Sequence, residues 1–397
     1  MVTTPTPGTL LVLVPHSTAW LFVTAALRAG LLGHPERLVL VTTSQSGVPE
    51  AGDELRRTLG WDRLNTDVDV VLDHDELVAP HHPLGWTPTT PAELARWREL
   101  LLQRAGLGGG PVRLLLRDLH LAPARTLAAA LPEAAVDVYA EDLSAWAATP
   151  TVLEPSVAGR VGRLLHVDLW PGLIPRLLAE TGCRPVALDP AQLRALAGEV
   201  APPSEPGRGR VAVLVEEDLA GLGLDEEEVA ALVARQLAAA HAAGADRVRA
   251  VRDPLPALGS DSEALAEAGL VELDEDAVPL AAVLAADPVV VVGCRSTLLL
   301  TAGVPAVAVQ PEGVLERLRP WAHPSRLPLV LTALRCGPDA PAAGLAEVQQ
   351  LVDALAHTTQ PALHPAGATP ARALAAERPG LAERFLLPGN PLVGSAG

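Results

Sequence analysis

Short runs apolar at nearly every position alternate along this chain with longer alanine-rich segments of helical period. The short runs are Thr9–Val14, Arg37–Thr42, Val68–Leu72, Val112–Leu116, Val136–Ala140 and Arg163–Asp168. A strand that is apolar on both faces belongs in a parallel sheet covered by helices on both sides, because a sheet with one wet face would alternate. The helical segments carry their own signals. Thr90, Pro91 and Glu93 make a capping box with proline at the first helical position, predicting a helix to about Arg104 that stops at the Gly106–Gly110 breaker.

At Ala201–Gly209 the chain reads APPSEPGRG, a proline, glycine and serine cluster without apolar period, as a domain linker reads. The pattern then restarts with strands predicted at Arg210–Val215, Arg247–Val251, Leu270–Glu272, Val289–Val292 and Ala306–Val309. A helix with Asp225 to Glu228 in its first turn buries Val229, Leu232, Val233 and Leu237. The expected organisation is an N-terminal domain over residues 1–203 and a C-terminal domain over 204–397. The latter ends in a tail from about residue 361, with a short helix near Ala371–Glu377. No fixed-period repeat is visible. Two doubly wound α/β halves facing across a cleft would place function at the carboxyl ends of their strands.

The bulk numbers narrow the classes. A chain of 397 residues exceeds one ordinary core, which fits two domains. The formal net charge is -17 and the chain has no lysine, so nucleic acid is not an expected partner. Cys183, Cys294 and Cys336 are odd in number and far apart, unlike a disulfide framework or zinc site, which points to a reducing, cytoplasmic setting. Met1–Gly8 lacks the positive charge of a signal peptide. The longest apolar run, Leu280–Cys294, is broken by Asp287 and Pro288, short of the roughly 20 residues a spanning helix needs. No transmembrane segment is expected; peripheral membrane association stays open.

Two strand ends offer chemistry. In VDVYAEDLSAW the strand runs into Glu141 and Asp142, where a general base would sit. Neighbouring side chains of an extended segment point opposite ways, so only one of the pair should face the cleft. The competing reading is that both solvate a loop or cap the next helix. In VVVVGCRSTLLLTA, Gly293 lets backbone approach a ligand, and Ser296 and Thr297 offer hydroxyls beside free N–H groups, an anion site. Simple helix capping by Ser296 is the alternative. Asp73, His74, Asp75, His81 and His82 match no metal-ligand spacing, and no metal or cofactor is expected. Gly108–Gly110 has no P-loop lysine, and no GxSxG elbow occurs.

Taken together, the segments VTTSQSGVPE at Val41, PHHPLGW at Pro80, YAEDLSAW at Tyr139, RLLHVDLWPGL at Arg163, EEDLAGLGL at Glu216, VGCRSTLLLTA at Val292 and SRLPLVL at Ser325 resemble the bacterial alpha-2,8-polysialyltransferase family, as found in actinobacteria. The resemblance covers most of the chain. It implies a GT-B fold of two Rossmann-like domains, the first carrying the acidic motif on the acceptor side and the second binding the donor. It also implies inverting, metal-independent transfer of sialic acid or a related sugar from a CMP-activated donor to a glycan acceptor. By position, Glu141 would be the base with Asp142 beside it. Ser296 and Thr297 would hold the donor phosphate; beside them, Gly293 would let the backbone approach it, and Arg295 and Arg252, adjacent in sequence to the two motifs, would be supporting phosphate ligands.

The motifs also depart from the family. Asp142 or Leu143 stands where glycine follows the family's acid. Asp253–Pro254 occupies the place of its His-Pro motif, with another His-Pro at His323–Pro324, and Glu217 and Asp218 replace its Gln-Tyr pair. A carboxylate beside a phosphate repels it. The expected function is therefore a sialyltransferase-like glycosyltransferase. The alternative is a GT-B-fold binding or partner protein impaired in catalysis. An epimerase or hydrolase on the same frame has no residue arguing for it.

Overall fold

The protein is described by a computed structural model, in which residues 8–44, 54–203, 209–217, 219–253, 270–273, 276–318, 325–338 and 343–386 are described. The predicted linker lies largely outside these residues, as do Pro254, Asp218 and His323–Pro324. The chain forms two compact units. One comprises Met1–Glu141, Thr151–Val167 and Thr181–Val200, and the other Asp142–Pro150, Asp168–Glu180 and Ala201–Gly397.

The first unit holds a seven-stranded parallel sheet in the order β3-β2-β1-β4-β5-β6-β7. Its strands are β1 (Thr9–Val14), β2 (Arg37–Thr42), β3 (Val70–Asp73), β4 (Val112–Leu116), β5 (Ala135–Ala140), β6 (Val161–Val167) and β7 (Arg184–Leu188). The second unit holds five parallel strands in the order β10-β9-β8-β11-β12. These are β8 (Val211–Glu216), β9 (Arg247–Arg252), β10 (Val271–Glu272), β11 (Val290–Gly293) and β12 (Ala306–Ala308). Both sheets are doubly wound: the chain leaves the first central strand in one direction, returns to its other side, and continues outward. The reversal lies between β1 and β4 in one sheet and between β8 and β11 in the other, where strand ends leave room for a ligand.

Local chemistry explains the elements. The central strands are buried along almost their whole length, which is why they read as unbroken apolar runs. The helix Pro91–Ala105 starts at the predicted capping box, with Glu93 N donating to Thr90 Oγ1 and Thr90 N donating to Glu93 Oε2, both at 3.2 Å. Asp225 and Glu228 make a second box for the helix Glu226–Ala242. Strand β7 has no counterpart in the sequence reading. It is an edge strand, mostly exposed, and contains Pro185, so it lacks the apolar signature. Two segments that follow β5 and β6 belong to the second unit through specific contacts. Trp146 Nε1 donates to Leu173 O at 3.2 Å, Arg176 N and Leu177 N donate to Ala145 O, and Arg176 pairs with Asp353. The tail helix Ala368–Glu377 packs on Leu345–Thr359. Among the described residues, no helix is long and apolar enough to cross a membrane.

The first sheet also carries a structural ion cluster. Asp137 in β5 accepts from Arg163 Nε at 3.1 Å and Nη2 at 2.6 Å, with Arg113 Nε 3.7 Å away. One carboxylate thus serves two partly buried cations. Removing it leaves both without their counter-charge, so Asp137→Ala is expected to cost about 3 kcal/mol of unfolding free energy in urea titrations.

Candidate functional site

In the first unit, three strands of the sheet deliver three polar residues to one place. Glu141 follows β5 directly and is buried, 4% exposed. Arg117 follows β4, and its Nε donates to Glu141 Oε1 at 2.7 Å. His16 lies just beyond β1 and caps the helix Ser17–Arg28, with Nδ1 accepting from Ala19 N at 3.2 Å. An Nδ1 that accepts must be unprotonated, so the ring hydrogen sits on Nε2. Nε2 approaches Glu141 Oε1 at 3.2 Å without the alignment of a full hydrogen bond. Glu141 Oε2 is buried and has no hydrogen-bond partner among the described residues. Burial by itself raises the Glu141 pKa, but the charge of Arg117, followed by the polar N–H that His16 turns toward the carboxylate, more than reverses this and holds it at about 2.

Asp142 goes elsewhere. Its Oδ1 accepts from Ser144 N at 2.9 Å and from the Ser144 hydroxyl, capping the 3₁₀ turn Leu143–Trp146. The two adjacent carboxylates thus divide, one buried among basic groups and the other used in local capping. Asp73 is likewise a cap, accepting from Asp75 N and Glu76 N. His74 is fully buried with its ring edge toward Trp97. Among the described residues, no group of three or more His, Cys, Asp or Glu could hold a metal ion.

The second unit presents the turn after β11. Sequence reasoning expected free N–H groups there, and the structure differs. Glu217, which follows β8, accepts at Oε1 from Cys294 N at 2.6 Å, and from Arg295 N at 2.9 Å through Oε2. Gly293 is what allows this approach, since a Cβ there would stand 2.9 Å from Glu217 Oε1. Ser296 Oγ donates to Asp253 Oδ2 at 2.5 Å and accepts from Leu298 N at 3.2 Å. The Thr297 side chain makes no capping bond, while its carbonyl accepts from Leu300 N and Thr301 N. Arg295 Nη1 donates to Ser325 Oγ at 2.5 Å, and its Nε lies 3.9 Å from Glu217 Oε2. Arg252, the exposed last residue of β9, just before Asp253, has Nε 3.6 Å from Glu216 Oε2. Burial above all, then the charge of Asp253, pushes the Glu217 pKa up to about 7 against the amides and Arg295.

Sequence reasoning thus missed His16, Arg117 and the role of Glu217. Each is a polar residue at or just past the end of an apolar strand run, in VLVPHS, LLLRD and VLVEED. That position was the available signal; their pairing was not. His16 and Arg117 come from the two strands flanking the first reversal point, and Glu217 and Cys294 from the two flanking the second.

Two units, each with a doubly wound parallel sheet and polar groups gathered where its strand order reverses, define the GT-B class of α/β architecture. No family model matches the chain, and no curated protein matches it. Solved structures similar to it include Arabidopsis thaliana UGT89C1 complexed with UDP-L-rhamnose, with TM-score 0.44 and 14% identity over 97% of this chain and 98% of that one. Others are a putative UDP-N-acetylglucosamine 2-epimerase from Listeria monocytogenes, at 0.40 and 12% over 97% and 98%, and the S. aureus MnaA–UDP structure, at 0.44 and 10% over 83% and 88%. At these values the likeness carries no argument, and the chemistry must come from this chain's own residues.

The depressed Glu141 pKa has a definite pH signature. With an ordinary value of 4.5 and a folded value of about 2, its stabilising contribution is present above pH 4.5 and is lost as pH falls through about 2. The unfolding free-energy gap between the parent and Glu141→Gln should therefore narrow by about 3 kcal/mol from about pH 5 to about pH 2, measured by urea unfolding.

Proposed function

We propose that this protein is a glycosyltransferase that moves a sugar, with inversion, from a nucleotide-activated donor to a glycan hydroxyl. CMP-activated sialic acid or a related sugar is the donor favoured by the sequence resemblance. The observation that carries this reading is Glu141 Oε2, a buried carboxylate oxygen at the end of a parallel strand that has no partner among the described residues. Leaving such an atom unsatisfied costs on the order of 1–3 kcal/mol, which an incoming hydroxyl would recover.

In the proposed reaction the acceptor hydroxyl donates to Glu141 Oε2. As the acceptor oxygen bonds to the anomeric carbon, the bond from that carbon to the donor phosphate oxygen breaks. The electron pair leaves on the phosphate, and the hydroxyl proton passes to Glu141. Arg117 and His16 keep the carboxylate ionised at any working pH at the expense of basicity. That suits a reaction through an oxocarbenium-like state, where the hydroxyl becomes strongly acidic only as its bond to carbon forms. The β11 turn, with Gly293, Arg295, Ser296 and Thr297, would receive the donor phosphate in the second unit. Asp253 would face it through Ser296, and Arg252 would supply a positive charge.

A second reading has its own support. Glu217 on the turn's amides and Asp253 on Ser296 are arranged against an anion, as in a GT-B-fold binding or partner protein that no longer transfers sugar. Calorimetric titration with CMP, using UMP and GMP as controls, separates the two. The transferase reading expects selective CMP binding, weakened at least about fivefold when Ser296 and Thr297 both become alanine, roughly 1 kcal/mol of lost hydrogen bonding. Absence of nucleotide binding up to millimolar concentration supports the second reading. With a working acceptor, Glu141→Gln should lower kcat by about 10²–10⁴-fold with little change in CMP affinity.

A further inference from the structure

The groups around Glu217 are unusual for an anion site. Its carboxylate is nearly buried, at 5% exposed, and spans two successive backbone N–H groups, those of Cys294 and Arg295. Two oxygens across two amides is also how one edge of a phosphate would be held. The close approach depends on Gly293, whose missing side chain leaves room for Oε1. The turn is therefore already holding an anion, and that anion belongs to the chain.

We infer that Glu217 is the specificity-determining residue of the β11 turn: its carboxylate occupies the amides a donor phosphate would use, so phosphate binds by displacing it. This rests on the reading of the turn as the donor-phosphate site. The side chain also borders a small cavity of about 10 Å³, room for about one water, lined with it by Glu216, Val233 and Gln236. Displacement is opposed by charge. Asp253 faces the same point from the end of β9, Glu216 adjoins it on β8, and Arg295 Nε at 3.9 Å is the near cation on the turn. Arg252 stands farther out beside Glu216, and the buried Cys294 thiol, its pKa pushed well above the ordinary range by burial, adds no charge.

Protonation relieves the competition. A Glu217 that titrates at about 7 is neutral below that pH, when it binds the amides weakly and no longer repels an anion. Phosphate affinity should then fall as pH rises through about 7. If the phosphate binds only when Glu217 is protonated, the loss between pH 6 and pH 8 is about tenfold.

The test is calorimetric titration of the full chain with the methyl ester of CMP, whose single phosphodiester charge does not change in this range. Cytidine serves as the phosphate-free control. The parent should bind the ester about tenfold more tightly at pH 6 than at pH 8, and Glu217→Gln should bind it about tenfold more tightly than the parent at pH 8 with a flat pH profile. Glu217→Ala, checked for fold by circular dichroism, should behave alike. Asp253→Asn should move the midpoint of the parent's profile downward, because one charge that raises the Glu217 pKa is gone. If the ester binds better than cytidine but Glu217→Gln and Glu217→Ala leave affinity and pH profile unchanged, the inference falls and the donor-site reading stands. If the ester binds no better than cytidine to any of the proteins, both fall.

Discussion

A carboxylate moved from water to the end of a buried strand loses hydration worth several kcal/mol and must recover it from cations or N–H groups. This chain meets that constraint in both of its units. Glu141 is compensated by Arg117 and His16, and its pKa falls to about 2. Glu217 is compensated mainly by backbone amides, with Asp253 working against it, and its pKa rises to about 7. Burial acts in the same direction on both, so the difference comes from what surrounds each carboxylate.

The parallel, doubly wound sheet makes both arrangements possible. Where the strand order reverses, neighbouring strands send their following loops away from each other, and the residues just past the strand ends meet across the gap. His16 and Arg117 meet in this way beyond β1 and β4, and Glu217 meets the Cys294 amide beyond β8 and β11. The two units share a plan with opposite balance of charge. In the first, two basic groups attend one carboxylate. In the second, among the described residues, Glu217 and Asp253 share the turn with the Arg295 guanidinium.

Much of the fold was legible because its signals are local. Strands β1, β2 and β4 occupy the spans their apolar runs predict, and Thr90 and Glu93 cap the helix their spacing predicts. β7 was not legible, since an exposed edge strand containing Pro185 needs no apolar run. The site was legible in part. Glu141 stood out as an acid after a strand, but its neighbour Asp142 looked the same in sequence and proves to be a cap for Ser144. Ser296 stood out as a hydroxyl after a strand, but the amides beside it are already taken.

The sequence by itself determined the elements, the parallel character of both sheets and the strand ends at which polar groups collect, because each depends on the periodicity and chemistry of contiguous residues. Only the tertiary structure decided which of those groups are partners. Arg117 lies 24 residues from Glu141, and Cys294 lies 77 residues from Glu217. Strand order, not chain order, brings them within hydrogen-bonding distance, and that pairing sets whether a buried acid is held ionised or pushed toward neutrality.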